Sequence, residues 1–164
     1  MRSVPDVRYV LDVRVATSRV AAMTTRHFAT FTAARSNLRD LLDAAHSGRV
    51  TTVDRDRERF AVVDADLLRA HLAELRPSGA VVVAEGGGWS AFLPGLPIAG
   101  EGDDLVGAID DLIDSLREYA ADWNDRLLDA PNHRDNWALV TLTELSTDEQ
   151  LKGWLLQHEI SGAR

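Results

Sequence analysis

Four arginines are the side chains of this chain best placed to do chemistry: contact with phosphate is one reading of them, and a solvated helix face paired to Asp40 and Asp43 with a plain charged turn is the other. Arg35 and Arg39 stand four residues apart, and Arg55 and Arg57 lie in the charged run Asp54-Arg55-Asp56-Arg57-Glu58-Arg59. A guanidinium offers a planar fork of donors that matches a phosphate or carboxylate. Other groupings carry less. Asp110, Asp111, Asp114, Glu118, Asp122 and Asp125 pair carboxylates as a metal site or an acid–base dyad would, but along one continuous helix face they read as a solvated surface. Gly86-Gly87-Gly88 lacks the following Lys-Ser/Thr and the opening helix of a phosphate cradle, so it reads as a hairpin turn. The five histidines are scattered, with no His-x-x-x-His spacing and no Gly-x-Ser-x-Gly elbow, and cysteine is absent. The sequence therefore yields no catalytic residue, no metal ligand set and no cofactor site.

The elements that must position the arginines follow from periodicity. Ala34, Leu38, Leu41, Leu42 and Ala45 recur on one face of a helix, with Arg35 and Arg39 on the other. Thr32 is the expected N-cap and Gly48 the left-handed C-terminal residue. Val50 to Val53 and Phe60 to Val63 have strand composition, and the charged run joins them as a hairpin connection. Asp64 caps a third element in which Leu68, Leu72 and Leu75 keep helical spacing until Pro77 ends it.

Charge divides the 164 residues in two. Residues 1–76 hold 13 Arg against 10 Asp plus Glu, a net of +3, whereas residues 77–164 hold 5 Lys plus Arg against 16 Asp plus Glu, a net of −11. Any contact with nucleic acid must come from the first half acting locally, and the acidic half suits a basic partner. The missing cysteines exclude disulfides and fit a reducing compartment such as the cytoplasm. No apolar run approaches the roughly 18 residues of a membrane span. Residues 1–22 read as a poorly ordered extension or a misplaced start, with Met23 the expected true start. Arg76-Pro77-Ser78-Gly79 marks a linker at 77–79, which separates a unit over 23–76 from one over 80–164.

In the second unit Ala80 to Ala84 and Trp89 to Leu93 read as a hairpin, and Pro94 to Asp103 as a rigid looping segment. A long helix of roughly 34 Å follows. Its stripe is Leu105, Ala108, Ile109, Leu112, Leu116, Tyr119, Ala120, Trp123 and Leu127. Trp137 to Leu145 reads as a strand by its Val, Leu and Thr content. Ser146-Thr147-Asp148-Glu149 has capping-box form and opens a last helix, on which Trp154, with Leu155 beside it, is the expected exposed anchor for a partner.

Two resemblances give these parts a meaning. Thr32, Ala34, Arg35, Asn37, Leu38, Leu41, Leu42 and Gly48 follow the order T-A-R-x-N-L, x-x-L-L, glycine, hairpin, helix, and residues 27–76 thereby resemble the N-terminal module of Phd/YefM antitoxins. The resemblance implies a homodimer that sets this helix against operator DNA, with Thr32, Arg35, Arg39, Arg55 and Arg57 as contacts. Asp54 departs from it, standing where many relatives carry a second adjacent basic residue. Gly87-Gly88-Trp89, Pro94-Gly95-Leu96-Pro97 and Gly102-Asp103, over about residues 80–145, resemble the HicB antitoxin domain, a truncated ribonuclease-H-like fold without its catalytic acids.

Together the resemblances imply an α+β protein, with a small dimerising helix–hairpin–helix module before a HicB-like antiparallel sheet with one long helix. The implied function is a type II antitoxin that is not an enzyme. It would neutralise a basic, RNase-type toxin, with Trp154 and Leu155 in contact, and repress its own operon. The competing readings are an interaction module without DNA binding and a ribonuclease-H-like nuclease.

Overall fold

The computed structural model describes residues 26–157. The expected extension over 1–22, the start at Met23 and His158 lie outside them. Among the described residues there are two three-stranded sheets and six α-helices, a mixed α+β architecture.

The first sheet is built by β1 (Arg26–Phe28), β2 (Thr51–Arg55) and β3 (Glu58–Val62). β1 runs parallel to β2, and β2 pairs antiparallel with β3, with Val53 opposite Phe60 and Asp54 opposite Arg59. The hairpin is tighter than the sequence suggests. Its strands run through the charged segment, and only Asp56 and Arg57 form the turn, with Asp56 at φ 58°. Two helices pack on this sheet, α1 (Phe31–Ser36) and α2 (Leu38–His46). They replace the single helix expected there, because Asn37 leaves helical geometry at φ −122°, ψ 31° and turns its side-chain amide back onto the Ala33 carbonyl at 2.9 Å. Phe28, Ala34, Leu41 and Val53 form the small core between them. α2 ends as expected at Gly48, φ +77°, where the amides of Gly48 and Arg49 close onto the carbonyls of Ala45 and Ala44.

α3 (Ala65–Leu75) opens on Asp64, whose carboxylate accepts the Leu67 amide at 3.1 Å. It follows the hairpin in sequence, yet Leu72 belongs to the second, larger core, with Leu68 and Ala73 packed against it.

The second sheet is a meander of β4 (Val81–Glu85), β5 (Gly88–Phe92) and β6 (Ala99–Gly102). Gly86 and Gly87, at φ 63° and 92°, make the two-residue turn that the glycine run predicts. β6 corrects the expectation of a loop throughout 94–103. Its glycines look like loop residues, but they are required because α4 (Leu105–Asp122) lies directly on the strand. A Cβ at Gly100 would sit 2.2 Å from the Leu112 nitrogen, and one at Gly102 2.4 Å from that of Ala108. α4 buries Ala108, Ile109, Leu112, Ile113, Leu116 and Ala120; Ile113 is added to the expected stripe, and Leu105 and Tyr119 of that stripe are only partly buried. A π-helical turn over Trp123–Leu127 prolongs it.

Residues Trp137–Leu145 form a helix, α5, where a strand is expected from composition. The buried residues are Leu139, Val140, Leu142 and Thr143. They fall in pairs three apart, which is helical spacing, and α5 packs against both α3 and α4; this packing outweighs the β-propensity of Val and Thr. α6 (Asp148–Leu156) does open on a capping box, shifted by one residue. Thr147 accepts from the Gln150 amide at 3.3 Å, and the Gln150 side chain accepts from the Thr147 amide at 2.9 Å. Ser146 is buried instead and donates to the Leu142 carbonyl at 2.6 Å. No helix among the described residues is long and apolar enough to cross a membrane.

Candidate nucleic-acid interface

The loop between β1 and α1 and the β2–β3 turn meet at one end of the first sheet. Thr30 caps α1, its hydroxyl accepting from the Ala33 amide at 3.2 Å. This corrects the expected cap: Thr32 lies inside the first turn and faces solvent. With Thr30 as cap, Phe31 becomes the first helical residue and stays 56% exposed. The Arg55 guanidinium sits over its ring, 5.8 Å from the centroid, a cation–π contact. Thr30, Phe31, Thr32 and Arg55, with Asp54 and Asp56, line a shallow hollow of about 320 Å³. A ligand meeting this hollow finds the Thr32 hydroxyl and the Arg55 guanidinium, the latter 3.8 Å from the Asp56 carboxylate.

The remaining arginines are less tightly placed. Arg57 occupies the turn beside Glu58 and Arg59, in a neighbouring hollow. Arg35 lies in the last turn of α1 and Arg39 in the first of α2, both exposed. The break at Asn37 means that they do not share one continuous helix face. Neither Arg35, Arg39 nor Arg57 forms an ion pair among the described residues. Arg26 does, with Asp40 at 2.7 Å.

Asp54 is the residue that weakens a positive field here, and it does not stand alone. Arg59 binds it through two hydrogen bonds, and the His27 imidazole lies 3.5 Å away. Hydrogen bonding from Arg59 is the main cause that holds the Asp54 carboxyl below the usual range. The Arg59 and His27 charges add to the effect, and desolvation opposes it. Sequence reasoning missed this pairing, though the hairpin register, once the two-residue turn is known, places the residues opposite each other. It also missed the Arg55–Phe31 contact, which depends on the shifted cap.

Trp154 and Leu155 are not the exposed anchor expected of them. They are 4% and 2% exposed within the second core, and the Trp154 indole donates to the Arg76 carbonyl at 2.8 Å. With Leu151 they are the buried face of α6. The carboxylates along α4 also do more than meet water. Asp110 pairs with Lys152 at 2.6 Å, Asp111 accepts the Glu101 amide at 2.8 Å, and Asp122 pairs with Arg126 at 2.5 Å. Among the described residues no group of three or more His, Asp or Glu is placed to hold a metal ion.

A protein-family model described as PHD_like, an antitoxin of a toxin–antitoxin (RelE/RelB) system, matches residues 23–153. The chain belongs to this antitoxin family. A single family thus spans both halves of the antitoxin, including the region whose motifs resemble HicB. A crystal structure from Syntrophomonas wolfei subsp. wolfei, described as the antitoxin part of a proposed toxin/antitoxin system, is 21% identical. It covers 79% of the antitoxin and 96% of its own chain, with a TM-score of 0.67, a likeness of fold. No curated protein matches the chain.

Proposed function

We propose that the antitoxin acts in the cytoplasm as a homodimer, binds operator DNA through the α1 end of its first sheet and holds a basic toxin through its acidic half. In this reading residues 23–76 are a Phd/YefM-like module, 77–79 a linker and 80–164 a HicB-like unit. The observation that carries the DNA reading is the hollow where Arg55 lies over exposed Phe31 beside Thr32, with Arg57 in the adjoining turn; Arg35 and Arg39, exposed and without ion pairs among the described residues, are the further contacts of this reading. Phosphate contacts of this kind position a protein on DNA and make its affinity depend on salt.

The dimer is supported by apolar surface on the same module. Leu38 and Leu42 are each 53% exposed and Phe60 46%. Leu38 and Leu42 share one face of α2, and Phe60 stands opposite Val53, on the sheet face that the helices cover only in part. The small core clustered around Phe28, Ala34, Leu41 and Val53 gives such a small unit a reason to bury more surface against a second copy. The meander followed by a long helix supports the HicB-like reading of the second half, with α5 in place of a fourth strand.

Fluorescence anisotropy on the DNA upstream of the gene tests this proposal. Binding that weakens steeply with salt supports it. Equal weak binding to any duplex supports an interaction module without DNA recognition instead, and metal-dependent RNA cleavage by the pure chain would revive a nuclease.

A further inference from the structure

The second sheet treats its two edges differently. The outer edge of β6 is sealed by α4, because the Asp111 carboxylate takes the Glu101 amide at 2.8 Å and the Ser115 hydroxyl donates to the Ala99 carbonyl at 2.9 Å. Among the described residues β4 pairs only with β5, and no side chain caps its outer edge. Among the described residues nothing covers the sheet face turned away from α4. Register places Val81 beside Phe92 and Val83 beside Ser90 on that face. Val81 and Val83 are each 38% exposed and Phe92 37%.

The other end of the same face is acidic. Glu85 stands opposite Gly88, and Glu101 opposite Ser90. Gly88 has no side chain to fill the space between them, and a hollow of about 530 Å³ opens there, lined also by Asp103. None of these three carboxylates forms an ion pair among the described residues. Clustered like charges repel one another, so a cation entering the hollow is favoured.

We infer that β4 and this outer face receive an extended segment of a basic protein partner, added as a fourth strand. Strand addition satisfies the free backbone groups of β4. Alternate apolar side chains of the segment cover Val81, Val83 and Phe92, and a Lys or Arg at one end enters the hollow among Glu85, Glu101 and Asp103. This surface rests on the toxin-binding reading above and is the place where that binding occurs.

The test uses the full chain and the protein encoded in the adjacent reading frame as probe. Val83→Glu and the double substitution Glu85→Lys, Glu101→Lys each weaken binding about ten-fold or more, the scale of an interface hot spot. Asp114→Lys, on an exposed part of α4, leaves it unchanged, and circular dichroism confirms that all variants are folded. Hydrogen exchange shows amides of residues 81–85 protected in the complex. If the wild type binds and the β4-face variants bind equally well, this surface is wrong and toxin binding stands. If the wild type does not bind, both fall. If instead Val83→Glu changes the mass of the free protein in light scattering, the occupant is a second copy of the chain, and the inference is overturned.

Discussion

Arg59 grips Asp54 across the β2–β3 ladder, Nε to Oδ1 at 2.8 Å and Nη2 to Oδ2 at 3.3 Å. The pair stands directly opposite in register, one step from the turn that carries Arg57. The Asp54 carboxylate is thereby paired within the hairpin, and Arg55 and Arg57 are the hairpin arginines that it does not hold.

This pair gives a pH dependence of defined sign. The folded-state carboxyl of Asp54 titrates below its ordinary value, mainly through the Arg59 hydrogen bond. Its contribution to stability is present above the unfolded-state value and is lost as pH falls through the folded one. Asp54→Asn should therefore lower the melting temperature slightly at neutral pH, and the difference should vanish in acid. A difference that grows on acidification would refute the assignment.

Arg55→Ala and Arg35→Ala should weaken operator binding and flatten its salt dependence, by about one unit of slope for each phosphate that is no longer neutralised. Because both side chains are exposed, stability should change by no more than about 0.5 kcal/mol. Unchanged affinity at all salt concentrations would remove the substituted residue from the interface.

The two threonines of the α1 turn can be separated. Thr30→Ala deletes the cap and should cost about 1 kcal/mol, whereas Thr32→Ala should cost less than about 0.5 kcal/mol. Urea denaturation of the two variants side by side decides it, and a larger loss at Thr32 would contradict the observed cap.

Gly100→Ala should destabilise the protein by about 3 kcal/mol or more, since overpacking against fixed backbone cannot be relieved by a rotamer change. The intruding methyl meets the Leu112 nitrogen and the Ala108 carbonyl rather than flexible side chains. Calorimetry that shows a wild-type melt would mean that β6 and α4 do not approach each other this closely.

Trp154→Ala should cost about 3–5 kcal/mol, the range for an aromatic removed from a core, and it also leaves the Arg76 carbonyl without its donor. A loss below about 1 kcal/mol in urea denaturation would return Trp154 to the surface.

Several local signals were legible where a single residue decides the geometry, although two caps, those of α1 and α6, were displaced. Asp64, Gly48 and the Gly86-Gly87 turn all behave as their chemistry predicts, and the α4 stripe is read almost whole. Errors arose where distant packing decides. Trp137–Leu145 has the composition of a strand, and only its contact with α3 and α4 selects the helix that the three-residue spacing of its buried side chains also allows. Gly100 and Gly102 resemble loop residues because the reason for them, the backbone of α4, lies elsewhere in the chain. The arginines were legible as candidates. Their grouping was not, since it depends on a break at Asn37 and a cap moved by two residues.

α3 has a consequence for how the chain breaks. Pro77 and Gly79 are exposed on the short connection to β4, an accessible place for a protease to cut. Such a cut would leave the pieces attached, because Leu72 remains seated in the second core and the Trp154 indole still holds the Arg76 carbonyl. The nicked protein should run as two bands on a denaturing gel and elute as one species from a sizing column.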